Sequence, residues 1–247
     1  MPSIIVDEPV DLDDPVLVEG LPGVGLVGKI ATDHLIEEFD MTYHAHIDCD
    51  GLPRVAVYDT DRTVRAPVRI YADEERDIVA LQSDVPVSHS TSPGFADCVL
   101  DWVEDIGALP LFLSGFPVDL EPDEIPDTYG LAVAGGAALL DEHKVPSPDQ
   151  RGVVSGPTGA LLNRANARTV DAVGLVVESS PQFPDPAAAR QLIIEGINPL
   201  AGVDVPTEEL VERAEEIQDQ REELARRMRE ATEEESSQAQ SMQGMYR

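Results

Sequence analysis

Residues 20–30 read GLPGVGLVGKI, and the glycine and lysine spacing of this stretch could serve a phosphate. From Gly23 the run is G-x-x-x-x-G-K, the opening of a loop whose backbone N–H groups cradle phosphates while the lysine neutralises them. Gly23, Gly25 and Gly28 also match G-x-G-x-x-G, in which close backbone approach and a helix N-terminus hold a dinucleotide. Each pattern lacks a part. A triphosphate-binding loop places Ser or Thr after the lysine to hold Mg²⁺, and Ile30 stands there. The dinucleotide reading finds an acid, Asp48, about twenty residues beyond Gly28. Pro22, Val24, Leu26 and Val27, however, are suited to packing the turn on a sheet, and glycines permit a tight crossover without any ligand. SGPTGALLNRA (155–165) poses the same choice: Gly156 and Gly159 flank Pro157 in a helix's first turn, where Thr158 could cap the helix or an anion could sit. The candidate phosphate or anion contacts are therefore Gly23, Gly25, Gly28, Lys29, Gly156, Thr158 and Gly159.

Other chemistry is harder to assemble. YHAHIDCD (43–50) sets His44, His46, Asp48 and Asp50 on one strand face, but His-x-His holds zinc only when further ligands converge on it. His34, His89 and His143 have no H-E-x-x-H or C-x-x-C companion, so no metal is expected. No G-x-S-x-G elbow occurs, and Ser114 and Ser155 follow strands without an identifiable histidine partner. Carboxylates are too numerous for any pair to stand out. Neither a catalytic set nor a cofactor is expected.

The elements that must position these residues follow from apolar patterning. Strands are expected at 3–6, 16–19, 54–59, 68–72, 77–82, 109–115, 129–135, 152–156 and 172–179, and helices at 25–38, 92–106, 157–167, 187–196 and 207–235. Ser92 would cap the 92–106 helix, with Trp102 on its core face. Strands alternating with helices indicate an α/β fold with a mixed, largely parallel sheet flanked by helices. Residues 1–205 then form one domain. The 206–235 segment, free of Gly and Pro after its first residue, carries a thin heptad stripe of Leu210, Ile217 and Leu224. As a helix over 207–235 it would project about 43 Å. Residues 236–247 lose that periodicity and read as a flexible tail.

Charge bounds the partners. The chain carries 48 acidic against 17 basic residues, for a net −31, and Lys29 and Lys144 are its only lysines. Nucleic acid is disfavoured because phosphates would be repelled. Such charge is tolerable where strong salt screens it within about 3 Å, so the composition suggests a haloarchaeal cytosol; the plainer alternative is an acidic protein with an acidic tail. No apolar run is long enough to span a membrane, the N-terminus lacks signal-peptide features, and two cysteines make no disulfide framework. A cytoplasmic protein is expected. The last three residues, Met245, Tyr246 and Arg247, form a hydrophobic–tyrosine–any terminus. At the tip of a tail this is a docking hook: a rigid ring with a hydroxyl, an apolar neighbour, and a carboxylate for a lysine.

EGLPGVGLVGKIATDHLIEEF and GVVSGPTGALLNRA, in this order, resemble archaeal members of the proteasome assembly chaperone family, relatives of the second subunit of the eukaryotic pair. The resemblance covers about residues 1–200 and implies a phosphorylase-like α/β fold without an established catalytic set. It further implies a homo-oligomer, with a tetramer as the candidate count, that assists assembly of the 20S proteasome α ring. It gives Met245, Tyr246 and Arg247 a target, the pockets between α subunits. Some relatives have been described as ATP-dependent carboligases of the ATP-grasp class, an alternative that would use the loop at 23–29; with lysine so scarce, it fits poorly. The phosphorylase-like fold implies a further alternative, an oligomer that binds a small molecule in the sheet-end crevice.

Overall fold

The computed structural model describes residues 3–49, 52–58, 60, 62–88, 92–120, 124–181, 184–212 and 214. Its strands in chain order are β1 (Ser3–Val6), β2 (Val16–Gly20), β3 (Thr42–Asp48), β4 (Val57–Tyr58), β5 (Val64–Arg65), β6 (Val68–Asp73), β7 (Ile78–Ser83), β8 (Leu109–Pro117), β9 (Thr128–Val133) and β10 (Ala172–Ser179). The helices are α1 (Val27–Glu38), α2 (Ser92–Asp105), α3 (Gly136–His143), α4 (Gly156–Arg168), α5 (Pro186–Leu192) and α6 (Asn198–Ala201). A 3-10 turn at Val24–Leu26 leads into α1, and a π turn at Ile193–Ile197 joins α5 to α6.

Eight strands form one sheet in the order β1-β3-β6-β7-β2-β8-β10-β9. Its centre, β7-β2-β8-β10, is parallel, while β1, β3, β6 and β9 join antiparallel. Parallel strands covered on both faces need apolar side chains on both, and these are nearly continuous apolar runs: Ile78–Leu81, Leu17–Val18, Leu111–Leu113 and Val173–Val177. Alternation then sorts neighbours to opposite layers. Leu17, Leu81 and Phe112 meet α2 and α4 through Phe95, Val99 and Leu161. Val18, Leu113 and Leu175 meet α1, α3 and α5 through Ala31, Leu35, Leu140 and Leu192. Each buried Leu, Val or Phe contributes about 1.5–3 kcal/mol through water released from its surface. On the outside, Arg168 joins α4 to Asp97, Asp101 and Glu104 of α2, neutralising part of an acidic flank.

Four expectations change. Residues 152–156 are not a strand: Val153 is 91% exposed, and Pro157, fit for a helix's first turn, starts α4 beside them. The strand expected at 54–59 shrinks to Val57–Tyr58, which pairs with β5 in a separate hairpin. The helix α3, Gly136–His143, follows directly on the strand expected at 129–135, in a stretch for which no helix is expected. A β-bulge at His44 breaks the alternation that would have set the histidines of β3 on one face. Asp50, His89, the Ser92 side chain, the heptad residues from Ile217 onward and the tail with Met245–Arg247 lie outside the described residues. Among those described, residues 208–212 are helical, with Leu210 fully buried against the α1 layer.

Candidate functional site

The two glycine-rich segments meet at the carboxyl end of the parallel strands, where open α/β sheets place ligand crevices. The residue that joins them is Glu19, the penultimate residue of central β2, at 0% exposure. One carboxyl oxygen accepts the Thr158 hydroxyl of α4 at 2.9 Å, and the other accepts the Leu113 N–H of β8 at 3.1 Å. Burial outweighs these donors and pushes the Glu19 carboxyl up to about 8. At neutral pH it is largely a neutral acid inside the molecule. Nothing in the sequence marked Glu19 among 48 acids, beyond its place at the end of an apolar strand.

The loop after Glu19 is fitted to its neighbours. Gly25 sits at φ +61°, and a Cβ there would fall on the Ser179 hydroxyl of β10. Gly28 packs on Leu113, where a Cβ would stand 3.2 Å from the leucine's Cβ. Gly23 is in extended backbone with open space around it. Two of the N–H groups are used within the loop, Leu26 donating to the Gly23 carbonyl at 3.1 Å and Val27 to that of Val24. Asp185 fastens the loop from outside. Its own N–H donates to the Gly25 carbonyl at 2.8 Å, while its carboxylate accepts Ser179, Ser180 and the first turn of α5 at 3.0 Å each.

Lys29 reaches the other way. Its Nζ lies 2.7 Å from Asp33, one turn along α1, and 3.2 Å from Asp84, which follows β7; Asp84 also holds Arg69. The ammonium is thus engaged on the β7 side of β2, whereas Gly25 packs on the β10 side. Burial works to raise Asp84, but Arg69 and Lys29 outweigh it and hold the carboxyl below its ordinary range. Around α4, Gly156 has φ +71° and faces open space, a Cβ at Gly159 would meet the Val154 carbonyl, and Thr158 is buried on Glu19. Of the predicted positions, the structure brings Gly25, Gly28, Thr158 and Gly159 into close packing, and it draws Lys29 away from them.

The remaining candidates separate. Asp48 ends β3, which β6 and β7 part from β2, so the acid assigned to a ribose stands two strands away from the glycine loop's own neighbours. His44 donates from Nδ1 to the Glu8 carbonyl at 2.6 Å beside Trp102, while His46 lies 2.7 Å from Asp7 on the opposite face. The Asp7 carboxyl is held low chiefly by His46 and then by Tyr43. His34, which has no motif around it, is buried on α1 and donates from Nε2 to the Pro206 carbonyl at 2.6 Å. Glu38 and Glu209 each place an oxygen within 4.8 Å of its ring nitrogen and of one another. This buried histidine staples α1 to the segment that starts the C-terminal helical stretch. Spacing could have paired His34 with Glu38, four residues on, but not with Glu209.

Comparison with known proteins gives these features a context. The solved Pyrococcus furiosus protein PbaB, described as an archaeal proteasome activator, superimposes with a TM-score of 0.78 at 24% identity over 91% of this chain and 98% of its own. P. furiosus PbaA, described as an archaeal homolog of proteasome-assembly chaperone, gives 0.77 at 23% identity over 97% and 99%. An uncharacterised protein of Methanocaldococcus jannaschii is 28% identical over 217 residues, covering 87% of both chains. The PAC2 family profile matches residues 17–225, a span that takes in Glu19, both glycine-rich segments and the Asp185 clasp. The chain belongs to the PAC2 family.

Proposed function

We propose that this chain is a non-enzymatic assembly chaperone or adaptor of the 20S proteasome, working as a cytoplasmic homo-oligomer. The observation that carries the proposal is the PAC2 match over residues 17–225, together with a fold shared over nearly the whole length of PbaA and PbaB. The glycine-rich segments support it indirectly: their glycines admit neighbouring side chains, and the one lysine among them holds two aspartates. That arrangement disfavours the carboligase alternative. The working contact is assigned to the end of the chain. Tyr246 and the Arg247 carboxylate enter pockets between neighbouring α subunits, with Met245 adding apolar contact. A hook that spans a subunit boundary binds the assembled pair better than separate subunits, and so favours assembly. Several hooks on one oligomer raise the avidity through effective concentration.

The test is co-elution of purified protein with 20S particles or isolated α rings in molar KCl. Deleting residues 245–247, or Tyr246→Ala alone, should abolish co-elution while leaving oligomer mass and melting temperature unchanged. Undiminished co-elution of the truncated chain would remove the hook from the account.

A further inference from the structure

Among the described residues, one group of three His, Cys, Asp or Glu side chains converges closely enough to share an ion. A ring nitrogen of His34 and one carboxylate oxygen each of Glu38 and Glu209 lie within 4.8 Å of one another. His34 and Glu38, four residues apart on α1, share a helix face. Glu209 comes from the helical stretch at 208–212, which buried Thr207 and Leu210 anchor on either side of it. Two elements far apart in sequence therefore bring the three side chains together, and no spacing motif announces them.

The histidine separates this group from the ordinary acidic surface. It is 1% exposed. The 2.6 Å contact between Nε2 and the Pro206 carbonyl fixes the tautomer, because a carbonyl only accepts and the proton must sit on Nε2. The lone pair is then on Nδ1, which is buried without a hydrogen-bond partner among the described residues. A buried polar atom left unpaired costs stability unless something takes it up. One ring N–H held by a backbone carbonyl, with the other nitrogen bare, is the arrangement that orients a metal-ligating histidine.

The glutamates complete a donor set. Two carboxylate oxygens this close repel each other, and a shared dication turns that repulsion into attraction. One imidazole nitrogen with two carboxylate oxygens suits zinc or manganese better than magnesium or calcium, which take oxygen ligands throughout. A tetrahedral ion about 2.0–2.1 Å from each ligand needs them about 3.3 Å apart. Rotation of the two glutamate side chains supplies that contraction while Pro206 holds His34 in place. Exposure rises from buried His34 through half-buried Glu38 to exposed Glu209, so an ion has a path from solvent and water can take the fourth position.

We propose that His34, Glu38 and Glu209 form a structural site for one divalent transition-metal ion, zinc or manganese, that locks α1 to the start of the C-terminal helical stretch. The ion reinforces the His34–Pro206 staple and makes the seating of residues 208–212 on the α/β body metal-dependent. This goes beyond the chaperone reading and does not depend on it. Calorimetric titration of the full-length, EDTA-stripped protein with ZnCl₂ in molar KCl, where surface charge is screened, tests the site. One zinc per chain should bind, raise Tm by several degrees, and slow hydrogen exchange in peptides covering residues 205–212. MgCl₂ at the same concentration should do none of these. Glu38→Gln and Glu209→Gln should each weaken zinc binding at least about tenfold and remove the exchange protection, with the circular dichroism of the metal-free protein unchanged. The control Asp105→Asn/Asp149→Asn, which removes two exposed acids elsewhere, should bind zinc as wild type does. Absence of zinc binding, equal binding of magnesium, undiminished affinity in either glutamine variant, or an equal loss in the control overturns the site.

Discussion

Replacing Glu19 by glutamine should change how stability depends on pH, and the size of the change follows from where this carboxyl sits. The folded protein keeps its proton until about pH 8, whereas a glutamic acid in the unfolded chain releases it near 4.5. Between those values the folded state binds more protons than the unfolded state, so the contribution is fully present below about 4.5 and is lost as pH rises toward 8. Linkage at about 1.4 kcal/mol per unit, levelling as the folded group titrates, gives a wild-type loss of about 2 kcal/mol between roughly pH 6 and pH 8. The substituted glutamine has the same shape and still accepts from Leu113 or Thr158, but it has no proton to lose. Denaturant unfolding of both proteins at several pH values, in constant molar salt, reads the difference directly, since every other titrating group is common to both. Wild type should lose ground to Glu19→Gln by about 2 kcal/mol over that window. A difference flat to within roughly 0.5 kcal/mol would show that Glu19 is ionised in the native protein, and the reading of the core around it would fail.

A substitution tests the glycine loop, and a labelling probe tests the α2 layer on the sheet's other side. Gly25→Ala places a methyl on the Ser179 hydroxyl at a left-handed backbone position. It should cost at least about 1–2 kcal/mol, lowering Tm by several degrees. Adding Ser179→Gly should recover the steric part only, and full recovery would mean the backbone carries no strain. Burial pushes the Cys98 thiol up to about 11, with nearby Cys49 and Asp101 adding to it. At pH 8 only about one Cys98 in a thousand is then thiolate, so iodoacetamide should label it only after unfolding, and rapid labelling of native protein would contradict its placement.

The central strands and long helices were legible because their signals are local. Runs such as IVAL in β7 and LFL in β8 need no partner to declare themselves, and Pro157 marks the start of α4 as firmly in sequence as in the structure. The errors came where a local signal had a tertiary owner. Val153 and Val154 read as a strand, yet they form the approach to α4. The α3 helix drew no expectation at all, and Gly136 lets it begin against the Ala172 carbonyl. The glycine motif shows the limit best. Its spacing fits a phosphate loop, and only the fold reveals Ser179 against Gly25 and Lys29 bound to Asp33 and Asp84. Glu19 was invisible for the same reason, since its partner Thr158 lies 139 residues away.

The strand order also dictates what a growing chain exposes. Five neighbouring strands, from β1 across to β2, are complete once Ser83 has been made, but β8 begins only at Leu109. In between, a ribosome-bound intermediate ends in the bare flank of β2, with Leu17, Val18 and Glu19 awaiting a neighbour. Such a flank invites wrong pairing with any extended peptide nearby. Synthesis should therefore pass through one vulnerable interval, closed when Leu109–Phe112 docks on that flank and made permanent when Thr158 arrives.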